Sequence, residues 1–311
     1  MSDRLVLQDA IVARDNITRK QQKEIAELYK EWANELDEKA EFYRNKTTSS
    51  SWVSEMQVKE LQKQLRATSK QVSNEIYKKI KENIYLVSDA VVKNNAKWLA
   101  KFGFSAKGVN AAFSSVPDST VRRLITGQIY KSGWSLSGRI WSDNEKTIKD
   151  AYRIVAKGIA QNQSIYDIAK ELERYVTPGT KKQWNPKIAM RNTRTGEIEY
   201  KRIYKRNVDY NAQRLARTLI QHGYQQSLEA VTAKNPFVIK YVWWANGSRS
   251  CPLCKDRDGN EYSKGEVPLD HPNGMCIIEP IIADDMADRL ADWVNSPSGT
   301  YPDIDDFAAD F

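Results

Sequence analysis

A chain of 311 residues, 41% hydrophobic and 28% charged, is long enough to bury at least one sizeable core, and two or three domains fit that length. No apolar run approaches the ~20 residues of a membrane helix, and residues 1–15 lack a secretory signal, so no membrane anchor is expected and folding is expected in a reducing cytosol. The net charge of +8 conceals a polarity, +18 over the first 250 residues and −10 over the last 61, which suits a protein working beside nucleic acid and would also serve solubility alone.

Residues 1–15 are short and mixed and read as an arm. Ile25, Leu28, Tyr29, Trp32, Leu36, Ala40 and Tyr43 then recur at three- and four-residue steps, the spacing of one apolar face of a helix over about 18–44. Lys46-Thr47-Thr48-Ser49-Ser50-Ser51 is a polar break. A second helical tract runs from Trp52 through Leu61, Leu65, Val72, Ile76, Ile80, Ile84 and Val87 to Val91, with a split expected near Thr68-Ser69. A loop over 103–117 precedes a short helix capped by Asp118 or Ser119. Another helix starts near Ser135 or Ser137, and Ser164 with Asp167 opens a third in the manner of a capping box, with Asp in place of the usual Glu or Gln.

Thr177-Pro178-Gly179-Thr180 ends this helical run. From Arg174 to Arg206 there are ten basic residues against Glu197 and Glu199, and two β-prone stretches flank Arg194-Thr195-Gly196. The pattern predicts a β-hairpin inserted between helices. Lys181, Lys182, Lys187, Arg191, Arg194, Lys201, Arg202, Lys205 and Arg206 are candidate DNA-binding residues, since such a hairpin can neutralise several phosphates while Trp184, Tyr200 and Tyr204 offer aromatic faces. A protein-contact arm and a solvated loop are the other readings of the same stretch.

A helix from Asn211 to about Lys234 follows, buried on the side of Leu215, Leu219, Leu228 and Val231, and then a β-prone stretch over Phe237–Trp244. That stretch leads into Cys251-Pro252-Leu253-Cys254 and, later, His271-Pro272-Asn273-Gly274-Met275-Cys276, which together hold all three cysteines of the chain and one of its two histidines. A Cys-x-x-Cys turn aims two sulfurs at one centre, and a following His and Cys complete a Cys3His set suited to structural Zn2+, with Cys251, Cys254, His271 and Cys276 as ligands. Four protein ligands leave no open position for water, so a fold staple is expected rather than catalysis. The alternatives are a metal-free knuckle held by packing, a Cys251–Cys254 disulfide, or a redox pair. Asp256-Arg257-Asp258-Gly259-Asn260 has the look of a calcium loop, but Glu261 stands where that loop requires glycine, and it reads as a turn. A helix from about Asp284 to Trp293 and an acidic end follow. The last fifteen residues are expected to be flexible in isolation, with Ile304, Phe307 and Phe311 available to dock on a partner.

The chain thus divides into an arm (1–15), a helical hairpin or stalk (16–116), a helical core (117–240) with the basic hairpin at about 177–206, a Cys/His knuckle module (241–283), and a short helix with an acidic tail (284–311). The fold class is mainly α with small β elements (α+β). No His-Glu-x-x-His, Gly-rich phosphate loop or Gly-x-Ser-x-Gly occurs, and no enzymatic activity is expected.

Several ordered stretches carry a further resemblance: Gly133-Trp134-Ser135-Leu136-Ser137-Gly138-Arg139-Ile140, Lys157-Gly158-Ile159, Arg214-Leu215-Ala216-Arg217-Thr218, Trp243-Trp244 leading into Arg249-Ser250-Cys251-Pro252-Leu253-Cys254, Asp258-Gly259, and His271-Pro272-Asn273 with Cys276. Over roughly residues 120–280 the chain resembles the minor head (head morphogenesis) proteins of tailed bacteriophages, typified by the Mu F protein. Relatives often read His-Pro-Asn-Cys-Arg-Cys, where this chain has Gly274 in place of the first of those cysteines, and they tend to place an acid where it has Leu219. The resemblance implies a virion protein of few copies, in the head interior or at the portal vertex, assembled in the host cytoplasm. Its implied partner is the portal protein, with the major capsid or scaffolding protein as further candidates, and its implied work is DNA packaging or ejection with non-specific DNA contact. The alternative is a zinc-containing DNA-binding protein of a host or mobile element.

Overall fold

The computed structural model describes residues 8–46, 54–178, 187–191, 198–202, 207–247 and 250–311. In chain order these form α1 (Gln8–Lys46), α2 (Glu55–Ala100), α3 (Ala106–Ala112), α4 (Val116–Thr126), α5 (Leu136–Ala160), α6 (Ile165–Val176), β1 (Lys187–Arg191), β2 (Ile198–Arg202), α7 (Tyr210–Thr232), β3 (Val238–Trp244), α8 (Pro252–Arg257), β4 (Glu261–Tyr262), β5 (Ile277–Ile282), α9 (Met286–Asn295) and α10 (Pro302–Ala308). The protein is mainly helical with small β elements. It comprises two compact units: Gln22–Lys78 with Ser137–Gln213, and Met1–Gln21 with Lys79–Leu136 and Arg214–Phe311. The divisions fall inside the long helices α1, α2 and α7 and at the first residue of α5, so neither unit is one continuous block of sequence.

The first of these units is built on periodic apolar faces. Ile25, Trp32, Leu36 and Ala40 of α1, Leu61, Leu65 and Ile76 of α2, Ile148 and Ile154 of α5, and Ile168 and Leu172 of α6 are all buried. The split expected near Thr68-Ser69 does not occur. Both residues are buried inside a continuous α2, and neighbouring side chains satisfy them: the Thr68 hydroxyl donates to Glu35 Oε2 at 2.9 Å and the Ser69 hydroxyl to Asn144. A buried hydroxyl with a side-chain acceptor no longer competes for the helix backbone. At α6 the Ser164 Oγ accepts the Asp167 amide at 3.1 Å, as expected of an N-cap. Asp167 is too short to reach back to the cap amide and instead accepts the Ser164 hydroxyl at 2.7 Å. The expected hairpin forms: β1 and β2 pair antiparallel from Lys187↔Arg202 to Arg191↔Ile198.

The second unit contains a three-stranded antiparallel sheet in the order β4-β3-β5. Its central strand buries Val238, Tyr241 and Trp243 and leaves Ile239 exposed. Val238 and Tyr241 are three residues apart, which strict alternation would send to opposite faces. An irregularity in the pairing with β5 between Val238 and Lys240 absorbs the extra residue and returns both to the core. Pro280 lies on β5, an edge strand, where its missing N–H breaks no inner ladder. Val87, Val91 and Val92 of α2 and Ile220, Tyr224, Leu228 and Val231 of α7 share one core with this sheet. Leu219 is buried as expected, but Leu215 is only partly so.

Two expectations about the chain ends are corrected. Residues 8–15 are helical rather than an arm, with Ala10 and Arg14 buried; the Ala10 amide, one of the unpaired donors of a helix start, reaches Asn94 Oδ1 at 3.2 Å. The acidic end folds back on its own chain rather than waiting for a partner. Ile304 and Phe307 are buried against Phe104, Trp98 and Leu99, and the Phe307 and Phe311 rings meet edge-on at 4.8 Å. Its acids find local partners: Asp303 pairs with Arg289 at 2.6 Å, Asp310 with Lys234 at 3.2 Å, and Asp305 accepts the Trp293 indole N–H at 2.8 Å. That indole bond, then the Gly299 amide, holds the Asp305 carboxyl below its ordinary range.

Candidate metal centre

The sheet brings the two cysteine motifs together. Register sets Trp244, the last residue of β3, opposite Ile277, the first of β5. Cys276 therefore sits beside the point where β3 leaves for the Cys-x-x-Cys turn. Cys251 caps α8, its sulfur accepting the Cys254 amide at 3.4 Å, and Pro252 fills the first helical position, where a missing N–H costs nothing. Downstream, the Gly274 amide donates to the His271 carbonyl at 2.8 Å, with Asn273 at φ +71°. Pro in the second position and Asn in the left-handed third are the residues a type II turn demands, so His-Pro-Asn-Gly dictates its own geometry.

Five donors converge here in two triads that share Cys254. Within Cys251–Cys254–His271, and within Cys254–Asp270–Cys276, the donor atoms all lie within 4.8 Å of one another. His271 Nε2 is 3.2 Å from the Cys251 sulfur, and the Cys254 and Cys276 sulfurs are 3.2 Å apart with no disulfide among the three cysteines. Cys276 shares a triad with neither Cys251 nor His271, so Cys254 is the donor that links the two groups. The cluster is able to hold a metal ion. All four expected ligands take part, divided between the triads, and Asp270 joins them. Spacing could not have revealed Asp270, whose only sequence signal is its place directly before His271.

The surroundings suit a metal bound through sulfur and nitrogen. His271 Nδ1 lies 3.0 Å from the Pro272 carbonyl, which can only accept; Nδ1 therefore carries the proton and Nε2 offers its lone pair toward Cys251. Burial, followed by the hydrogen bonds to Cys276 and Cys251, pushes the Cys254 thiol far above its ordinary range. Burial, with the charge of the neighbouring Asp270, also raises Cys276, against the opposing pull of Cys254 and the Asn246 backbone amide. Trp243 Nε1 is buried and without a hydrogen-bond partner among the described residues. Thiols so raised are protonated near neutral pH, and a metal bound through them would have to displace those protons.

Helix α7 backs the loop with a polar ladder at helical spacing. The Asn273 amide donates to Thr218 Oγ1 at 2.8 Å, and Arg217 donates to Asn273 Oδ1 at 2.7 Å. Gln221 donates to the Cys276 carbonyl at 2.6 Å, and Gln225 donates to the Pro268 carbonyl at 2.7 Å. His222 Nε2 meets the Asp270 carbonyl at 2.8 Å and must donate to it, leaving Nδ1 for the Tyr130 hydroxyl at 2.8 Å. From α1, the buried Arg14 guanidinium reaches both Gln221 Oε1, at 3.0 Å, and the Cys276 carbonyl, at 3.2 Å.

Of the candidate DNA-binding residues, Lys187 and Arg191 lie on β1 and Lys201 and Arg202 on β2, with Lys187 directly opposite Arg202. Lys181, Lys182, Arg194, Lys205 and Arg206 fall outside the described residues. No described helix is long and apolar enough to cross a membrane. Compared with known protein families, with curated proteins and with solved structures, the chain matches none.

Proposed function

We propose that the cluster is a structural Zn2+ centre, and that the chain is a minor head protein of a tailed bacteriophage, associated with the portal and acting in head assembly and genome packaging or delivery. One observation carries this reading. The stretches on which the family resemblance rests lie far apart in sequence, yet Arg217 and Thr218, Trp243, the Cys-x-x-Cys turn and His271-Pro272-Asn273 with Cys276 meet around one cluster. Motifs scattered along a chain that meet in space are the parts of one module, and here the module is the part of the chain most like that family.

Cys251, Cys254, His271 and Cys276 would hold the ion, which when bound supplies a cross-link between the α8 turn and the start of β5. The residues around it orient His271 and keep water from Cys254 and Cys276. In this reading the basic hairpin contacts DNA without reading its sequence, through phosphate neutralisation. The head-protein reading is tested by co-expressing the chain with the portal protein of the same phage: a stable complex is expected, and failure to associate with any head component overturns it. Replacing Arg191, Arg194, Lys201 and Arg202 by Ala should lower the log–log salt slope of DNA binding by about 3–4. A steep slope on free duplex without any head partner would favour a host or mobile-element DNA-binding protein instead.

A further inference from the structure

We infer that Asp270 is the positioning residue of the metal centre, and that position 274 is glycine because the Asp270 carboxylate fills the space of its side chain. This rests on the zinc reading above and adds to it a residue that sets the shape of the site.

Asp270 is 3% exposed, and a carboxylate taken that far from water needs compensation at each oxygen. It has it: Oδ1 accepts the His271 amide at 2.8 Å, and Oδ2 accepts the Cys276 amide at 3.0 Å. One side chain therefore spans the backbones of two candidate ligands, one from each triad. Its own backbone is tied on both sides, the N–H donating to Gln225 Oε1 at 3.2 Å and the carbonyl accepting from His222 at 2.8 Å. Helix α7 thus fixes Asp270, and Asp270 fixes the spacing between His271 and Cys276.

Gly274 is the second, independent part. A Cβ there would lie less than 3.0 Å from all three carboxylate atoms of Asp270, and φ at this residue is not in the left-handed range that would itself call for glycine. The demand for glycine is therefore steric. A side chain at 274 would displace the Asp270 carboxylate from this position, so glycine leaves the room in which that carboxylate orders the loop from inside.

The test is a double-mutant cycle on the full-length chain, read by zinc affinity in competition with a chromophoric chelator and by the absorption spectrum of the Co2+-substituted protein. Asp270→Asn keeps the shape but turns an NH2 toward one of the two amides. It should weaken zinc binding by about 10–100-fold and change the Co2+ ligand-field bands, with the helical circular dichroism intact. Gly274→Ala should cost a similar factor in the wild-type background and little further in an Asp270→Ala background. Asp270→Asn with wild-type affinity and an unchanged Co2+ spectrum overturns the inference, as does a Gly274→Ala cost of equal size in both backgrounds. A wild-type chain that takes up neither zinc nor Co2+ overturns the zinc reading along with it.

Discussion

Residues 251–276 and residues 284–311 both belong to the unit that holds the sheet, and each follows one of its strands, yet they are held by different forces. In the first stretch, Val267 is the one aliphatic residue that is buried; the other buried residues are Cys254, Asp270, Gly274 and Cys276. In the second, Met286, Leu290, Ile304 and Phe307 are buried, and Trp293, Tyr301 and Phe311 pack against them. The tail folds through apolar area, which is tolerant of direction. The loop has little apolar area and relies on directional contacts: an amide to a carboxylate, a ring nitrogen to a carbonyl. A loop so built is stable only while each partner is present, and leaving one buried group unmade costs more than the bond itself contributed.

The largest effect that would break or sharpen this contrast is expected from Cys254→Ser, because Cys254 belongs to both triads. Metal content should fall to near zero and amide-exchange protection should vanish over 251–276, while the aromatic tail keeps its protection. Loss of protection in both stretches together would show that they are one cooperative piece.

Next in size is Phe307→Ala. It removes a buried ring that contacts Phe104 and Phe311 and should cost about 3–5 kcal/mol in denaturant unfolding, with the metal content unchanged. A drop in bound metal would break the contrast from the other side.

The smallest expected effect concerns Glu229, which accepts a hydrogen bond from Gln225, the residue that anchors Pro268 and Asp270. Burial, against the smaller opposing effects of Gln225 and Arg123, raises its carboxyl from 4.5 to about 7. A carboxyl raised on folding contributes stability below its unfolded value of 4.5, and that contribution is lost as pH rises through about 7. Glu229→Gln should therefore gain about 1–2 kcal/mol relative to wild type between pH 5 and pH 8, allowing for partial exposure of the group. Parallel stability curves for the two proteins would remove Glu229 from the account.

Much of the architecture was legible in the residues. The apolar spacing of Ile25 to Tyr43 and of Leu61 to Val91 marked α1 and α2 because a helix repeats its buried face every three to four residues whatever it packs against. The paired β-prone stretches marked β1 and β2, and Ser164 marked the start of α6. Where local chemistry pointed one way and neighbours another, the neighbours prevailed. Thr68 and Ser69 look like a helix break until Glu35 and Asn144 accept their hydroxyls. Phe307 and Phe311 look like a free motif until Phe104 receives them.

At the candidate metal centre the division is the same. Cys251 and Cys254 converge because a helical turn brings positions three apart together, and His271-Pro272-Asn273-Gly274 closes because Pro and Asn suit that turn. These follow from covalent geometry and short-range sterics, which the order of residues carries whole. That Cys276 meets Cys254, that Asp270 turns inward to hold two amides, that Gly274 must lack a side chain and that Arg14 is buried against the Cys276 carbonyl were decided by strand register and by the polar ladder on α7. The contacts that set them include long-range ones, Gln225 to Asp270 across 45 positions and Arg14 to Cys276 across 262, where periodicity is silent and only the folded arrangement of several elements makes a buried charge or a missing side chain the lower-energy choice.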